Sequence, residues 1–185
     1  AFELPLQHHP FQHQSIGGIV FKPLHPGLYQ PNTFIVIQRH HRHLIHQNLN
    51  RVGLSANVMV ADAAKPDSWF DPKKDALFDA ILLDAPCTAS GIVRRHPDIR
   101  WLRRETDIAQ LAEIQRRLLD TLWKLVKPGG RLLYCTCSVF KAEGHDQVAL
   151  FTSNNGNAKL LSSPGHLIPK NSAKNGIVAD NERSN

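Results

Sequence analysis

The chain is 185 residues long, 42% hydrophobic and 21% charged, with a formal net charge of +6. That length holds one domain with a real core, and no apolar stretch approaches the length of a membrane span. Three cysteines, an odd set without Cys-x-x-Cys spacing, argue against a disulfide framework or a zinc ribbon and for reduced thiols in the cytoplasm, while the positive charge favours an acidic partner, nucleic acid first.

The N-terminus, Ala1-Phe2-Glu3-Leu4-Pro5, lacks the charged and apolar regions of a signal peptide, so the chain is expected to begin inside a longer gene product. Eight of the eleven histidines fall at or before His46, and Glu3 is the one acidic residue before Asp62. Residues 1–43 therefore read as an atypical His-rich segment, with one short apolar strand at Phe34-Ile35-Val36-Ile37. Regular patterning starts at residue 44, which opens a core spanning 44–150. Leu44, Ile45, Asn48, Leu49 and Val52 recur at helical spacing, and Gly53 stands where a glycine ends a helix. Asn57-Val58-Met59-Val60-Ala61 reads as a strand ending at Asp62, residues 66–74 as a loop and 78–83 as the next strand. A long helix is expected over 107–127, with Asp107 and Gln110 placed like a capping box and an apolar stripe of Ile108, Leu111, Leu118, Leu122 and Trp123. Lys127-Pro128-Gly129-Gly130 stops it, and Arg131-Leu132-Leu133-Tyr134-Cys135 forms a last buried strand. A further helix is expected within 141–150, and 151–185 reads as a polar tail, loop or disordered. Strands alternating with helices imply an α/β fold with a parallel sheet and right-handed crossovers.

Two strand ends carry chemistry. Asp84-Ala85-Pro86-Cys87 and Thr136-Cys137-Ser138 each place a cysteine where an apolar run stops, and ligands of open α/β sheets bind outside the carboxyl ends of the strands. Two thiols at one cleft suit the modification of a pyrimidine. Cytosine C5 is too poor a nucleophile to take a methyl group until a nucleophile adds at C6, and a thiolate fills that role well. Once C5 is methylated its proton must leave so that the C6 thiol can be eliminated, which is work for a second group. An isolated cysteine is more often a small buried hydrophobe, and Cys135 is read as one.

Asp84-Ala85-Pro86-Cys87-Thr88-Ala89-Ser90-Gly91, then Arg94-Arg95-His96-Pro97-Asp98-Ile99-Arg100-Trp101, then Thr136-Cys137-Ser138 resembles the RNA (cytosine-C5) methyltransferases, most closely the bacterial 16S rRNA enzymes of the Sun/Fmu (RsmB) type. The resemblance runs over about 44–150. It implies a Rossmann-like sheet, incomplete here at both ends, and methyl transfer from S-adenosylmethionine to C5 of a cytosine in 16S rRNA through a covalent adduct at C6. It carries the nucleophile's role to Cys137, product release to Cys87, and contact with the target base and methyl donor to Asp84. Asp62 takes the place of the acid near the donor's adenine, and Glu143 matches the second glutamate after the Thr-Cys motif, although its companions here are Ala142 and Gly144. Arg94, Arg95, His96, Arg100, Trp101, Arg103 and Arg104 read as an RNA-binding stretch of phosphate-pairing arginines around a stacking aromatic. The bland alternative is a solvated loop with Trp101 packed into the core.

The family's glycine-rich donor loop is not legible in 1–43: Gly17-Gly18 lacks its pattern, and Val36, Ile37, Gln38 and Arg39 stand where a ribose-binding acid belongs. Those residues are expected not to encode the family's first βαβ unit, which leaves a second reading, a non-catalytic RNA-binding remnant. A thiol-dependent hydrolase is a poorer alternative, because no histidine can be tied to either cysteine. His40, His41, His43 and His46 have no carboxylate or cysteine nearby, so no metal site is expected, and neither is a membrane partner.

Overall fold

A computed structural model of the chain describes residues 18–21, 34–37, 42–163 and 165. Five strands, β1 (Gly18–Phe21), β2 (Phe34–Ile37), β3 (Asn57–Val60), β4 (Phe78–Asp84) and β5 (Val126–Cys135), form one sheet in the order β3-β2-β1-β4-β5. The helices are α1 (Arg42–Val52), α2 (Ile99–Leu102), α3 (Glu105–Trp123) and α4 (His145–Asn154). β2 pairs parallel with β3, and β4 with β5, as the alternation of elements implies.

β1 departs from that expectation. It runs antiparallel to both neighbours, with Ile19 opposite Ile35 on one side and Leu82 on the other. Parallel neighbours need a crossover, normally a helix, and residues 22–33 between β1 and β2 carry Pro23, Pro26 and Pro31, which do not suit one. Reversing β1 still satisfies the facing backbone edges of β2 and β4. It also leaves β2, β3, β4 and β5 pointing the same way, so four carboxyl ends share one edge of the sheet.

Alternation along β4 buries Ile81, Leu83 and, just beyond, Ala85, where they meet Leu118, Leu119 and Leu122 of α3 together with Phe70, Phe78 and Leu125. Full burial of one such large apolar side chain is worth about 1.5–3 kcal/mol, which fixes α3 across the sheet. α4 joins it through an edge-to-face contact of Trp123 with Phe151 at 5.6 Å.

Several boundaries move. α3 begins at Glu105 and ends at Trp123, because Leu125 is drawn into the core and its carbonyl accepts the Phe78 N–H at 2.8 Å. Asp107 lies inside the helix as its third residue, where its carboxylate accepts the backbone N–H of Arg104 at 2.9 Å; the expected partnership with Gln110 is replaced by this one. Lys127-Pro128-Gly129-Gly130 does not precede β5 but bulges from it, between the pairs Phe78–Val126 and Ala80–Arg131. Gly53 follows α1 with φ +68°, the left-handed conformation expected of a helix-ending glycine. α4 runs past the expected end at 150 to Asn154, after a 3₁₀ turn at Lys141–Glu143. The expectations for 1–17 and 166–185, including Gly17, lie outside the described residues, as do Gln38, Arg39, His40 and His41.

Candidate active site

β4 and β5 end side by side, and the chain leaving each carries one of the thiols. The Ala85 N–H donates to the Cys135 carbonyl at 2.9 Å, which extends the pairing one residue past β4. Cys87 and Cys137 then face each other with Sγ atoms 3.4 Å apart, Cys87 half-buried and Cys137 exposed. The following turn returns to the same place: the Gly91 N–H donates to the Cys137 carbonyl at 2.8 Å. Reaching it forces Ala89 to φ +59°, a left-handed conformation that costs a non-glycine residue about 1–2 kcal/mol and tends to persist at functional turns.

Burial pushes the Cys87 thiol up to about 12, with the neighbouring Cys137 adding to the shift. Cys135 is half-buried, its Sγ 3.6 Å from the Leu83 carbonyl and 4.0 Å from Asp84, and its thiol is raised by burial and then by the Asp84 charge. Asp84 itself is raised by burial. Among the described residues its one hydrogen-bond partner is that weak thiol donor. Asp62, at the end of β3, accepts the Ala64 N–H at 2.9 Å and lies 3.9 Å from Lys65 Nζ.

Beneath the thiols lies a polar cluster. Glu143 is fully buried, and its carboxylate accepts the Thr88 N–H at 2.9 Å, the Thr88 hydroxyl and the Ser138 hydroxyl at 2.6 Å each, and the Gln115 amide at 3.1 Å. The same Gln115 amide reaches the Pro86 carbonyl at 2.6 Å. Tyr134 donates its hydroxyl to the Glu143 backbone carbonyl at 2.7 Å. The sequence placed Glu143 by position alone and passed over Gln115, Thr88 and Ser138. Gln115 had a signal: it stands four residues after Leu111 and three before Leu118, a polar residue inside the apolar stripe of α3.

The basic stretch divides. Arg94, Arg95, His96, Arg100 and Arg104 are exposed, and Trp101 is 84% exposed, which rules out its packing into the core. Arg103 turns inward, its Nε donating to the Thr88 carbonyl at 3.0 Å, so it ties the basic loop to the cysteine loop.

The profile of the 16S rRNA methyltransferase RsmB/F family matches residues 30–178. The chain belongs to that family. Its sequence is 53% identical over 116 residues to the ribosomal RNA small subunit methyltransferase B of Shewanella oneidensis, covering 63% of this chain and 26% of that protein. It is 51% identical over 125 residues to the protein of the same name from Sodalis glossinidius, covering 68% of this chain and 28% of that one. The chain thus spans about a quarter of the length of the curated relatives it matches. Among solved structures, NSun6 from Pyrococcus horikoshii with SFG, an S-adenosylmethionine analogue, superposes with a TM-score of 0.54 at 26% identity, covering 64% of this chain and 29% of that one. In this RsmB/F-family chain the Pro-Cys and Thr-Cys motifs thus meet at one sheet edge, above a shared buried carboxylate.

Proposed function

We propose that this chain carries the catalytic core of a methyltransferase that moves a methyl group from S-adenosylmethionine to C5 of a cytosine in 16S rRNA, by way of a covalent bond between Cys137 and C6. The observation that carries the proposal is the Cys87–Cys137 pair, 3.4 Å apart at the carboxyl edge of the sheet. Cys137 is the exposed member, so its thiolate is the one a base can reach. Its sulfur forms a bond to C6, and the electron pair displaced from the C5–C6 double bond makes C5 nucleophilic. After methyl transfer the C5 proton goes to a base beside the ring, the C5–C6 double bond re-forms, and Cys137 leaves. Cys87 has the position for that second step. Because burial pushes it up to about 12, it stays protonated near neutral pH and does not compete for C6; at release it passes that proton to the departing Cys137 sulfur, 3.4 Å away, and takes up the C5 proton in its place.

The two carboxylates at the same edge fit a methyl donor with amine and hydroxyl groups. Asp84 keeps acceptor capacity open, its one partner among the described residues being the Cys135 thiol at 4.0 Å, and the Asp62 side chain is 39% exposed. Bound there, S-adenosylmethionine would supply an electrophilic methyl group. Arg94, Arg95, Arg100 and Arg104, with Trp101 among them, form the RNA-facing surface, pairing with phosphates and stacking on an unpaired base. The catalytic reading is preferred to an RNA-binding remnant because the thiol pair and the polar cluster beneath it are both intact. The test is incubation with 16S rRNA and methyl-labelled S-adenosylmethionine, followed by nuclease digestion and mass spectrometry. Labelled 5-methylcytidine is expected; calorimetry showing no donor binding at millimolar concentration, with no label incorporated, overturns the proposal.

A further inference from the structure

We propose that Glu143 is a positioning residue that fastens the Cys87 loop to the Cys137 loop and so sets the separation of the two thiols. The proposal deepens the methyl-transfer reading, since attack and release by two sulfurs on one base depend on that separation.

Four donors converge on this one carboxylate, and they come from three separate parts of the chain. Thr88, next to Cys87, gives its N–H and its hydroxyl; Ser138, next to Cys137, gives its hydroxyl; Gln115 of α3 gives its amide. A hydroxyl has one proton, and for Thr88 and Ser138 the 2.6 Å distances to Glu143 identify where it goes. The Ser138 oxygen is then free to accept, and it takes the Phe140 N–H at 3.0 Å; the Ser90 Oγ, 3.1 Å from it, takes the Val139 N–H at 3.0 Å. The network closes only with an acceptor at its centre. Glu143 is itself held in place, because its backbone carbonyl accepts the Tyr134 hydroxyl at 2.7 Å and its carboxylate is fully buried.

The lever is short. Each arm of the brace ends one residue from a reacting sulfur, about 3.8 Å of chain, so a shift at Thr88 or Ser138 passes almost undiminished to the thiol beside it. Displacement on the order of 1 Å in a reacting group can cost roughly 100-fold in rate. Removing the carboxylate would leave buried donors without an acceptor and release the two loops from each other.

The separation of the thiols can be read without RNA or methyl donor, by using diamide to close a Cys87–Cys137 disulfide in the chain carrying Cys135→Ser. Two S–H groups lose two protons and two electrons, which reduce the N=N bond of the reagent to a hydrazine. The measured quantity is the rate of disulfide closure divided by the rate of single alkylation of the same thiols by iodoacetamide. Glu143→Ala is expected to lower that ratio at least tenfold, and Glu143→Gln, which keeps one acceptor oxygen, to restore it to within about threefold. Loosening of the fold alone would speed alkylation without rescue by Gln. A Glu143→Ala ratio equal to the parent's, or equal losses in the Ala and Gln variants, overturns the proposal. Thr88→Val and Ser138→Ala each delete one arm and repeat the test if Glu143→Ala does not fold; parental ratios in both also overturn it. A brace that passes this test in a chain that does not methylate RNA would refute the methyl-transfer reading alone.

Discussion

Gly91 offers the sharpest test of how closely the two cysteine loops must approach. A Cβ built on it would sit 2.7 Å from the Cys137 carbonyl oxygen, 3.4 Å from the carbonyl carbon and 3.6 Å from Val139 Cγ1. Ordinary contact begins near 3.4 Å, so the Cys137 backbone must retreat by 3.4 − 2.7 = 0.7 Å, or the Gly91 turn must, and the 2.8 Å hydrogen bond between them is lost or bent. The one atom closer than ordinary contact is the Cys137 backbone oxygen rather than the free end of a side chain, so the strain cannot be shed by a rotamer change. Overpacking of this kind costs about 1–3 kcal/mol. At about 2–4 °C per kcal/mol for a protein of this size, Gly91→Ala should lower Tm by roughly 2–12 °C. Activity should fall further than stability, since 0.7 Å approaches the displacement that costs on the order of 100-fold; a loss of about 10- to 100-fold in methyl transfer is expected under saturating donor. Gly156→Ala is the control, because nothing lies within 4 Å of its added Cβ. Methyl transfer by Gly91→Ala within twofold of the parent, or equal damage from Gly156→Ala, would refute the reasoning.

Two further outcomes follow from the site. Cys87 is pushed up by burial to about 12 from 9.0, so the folded state holds this proton more tightly than the unfolded state does. The stability this contributes is fully present below pH 9 and is lost as the pH rises from 9 towards 12. Urea denaturation of the parent and Cys87→Ala should give a constant difference up to about pH 9 that shrinks above it, and parallel profiles throughout would contradict the assignment. On the proposed RNA-facing surface, Trp101→Ala should weaken single-stranded RNA binding by about 1–3 kcal/mol with an unchanged salt slope, as expected for lost stacking. Arg95→Ala should instead reduce that slope by about 0.7, the loss of one phosphate contact. If the two substitutions behaved alike, the division into stacking and phosphate contacts would be wrong.

How much of this could be read from the sequence depended on how local each cause is. The Asp84 and Cys135 strand ends were legible because short apolar runs bounded by polar residues mark buried parallel strands, and the sheet's geometry then brings Cys87 and Cys137 together across fifty residues. The capping of α3 was read in part: Asp107 caps, but its partner is a backbone N–H upstream, set by where the chain enters the helix. Neither β1 nor its reversal was legible, since a glycine and three apolar residues are too short to mark a strand and carry no information about direction. Arg103 looked like its exposed neighbours until the fold turned it onto the Thr88 carbonyl. Glu143 was visible as a position and invisible as a brace, because its donors come from residues 28 and 55 positions away as well as from Ser138 nearby. A stray Gln in an apolar stripe is the trace such a network leaves in sequence.

The division of labour between the thiols is the centre of the account, and trapping the RNA adduct tests it most directly. Cys87→Ala, Cys137→Ala and the double variant would each be incubated with 16S rRNA and S-adenosylmethionine, then denatured and run on a gel that resolves free from RNA-bound protein. Cys87→Ala should accumulate a denaturant-resistant adduct, because attack proceeds and release fails, while Cys137→Ala and the double variant should show none. An adduct formed by Cys137→Ala, or methylation by the double variant, would contradict the account.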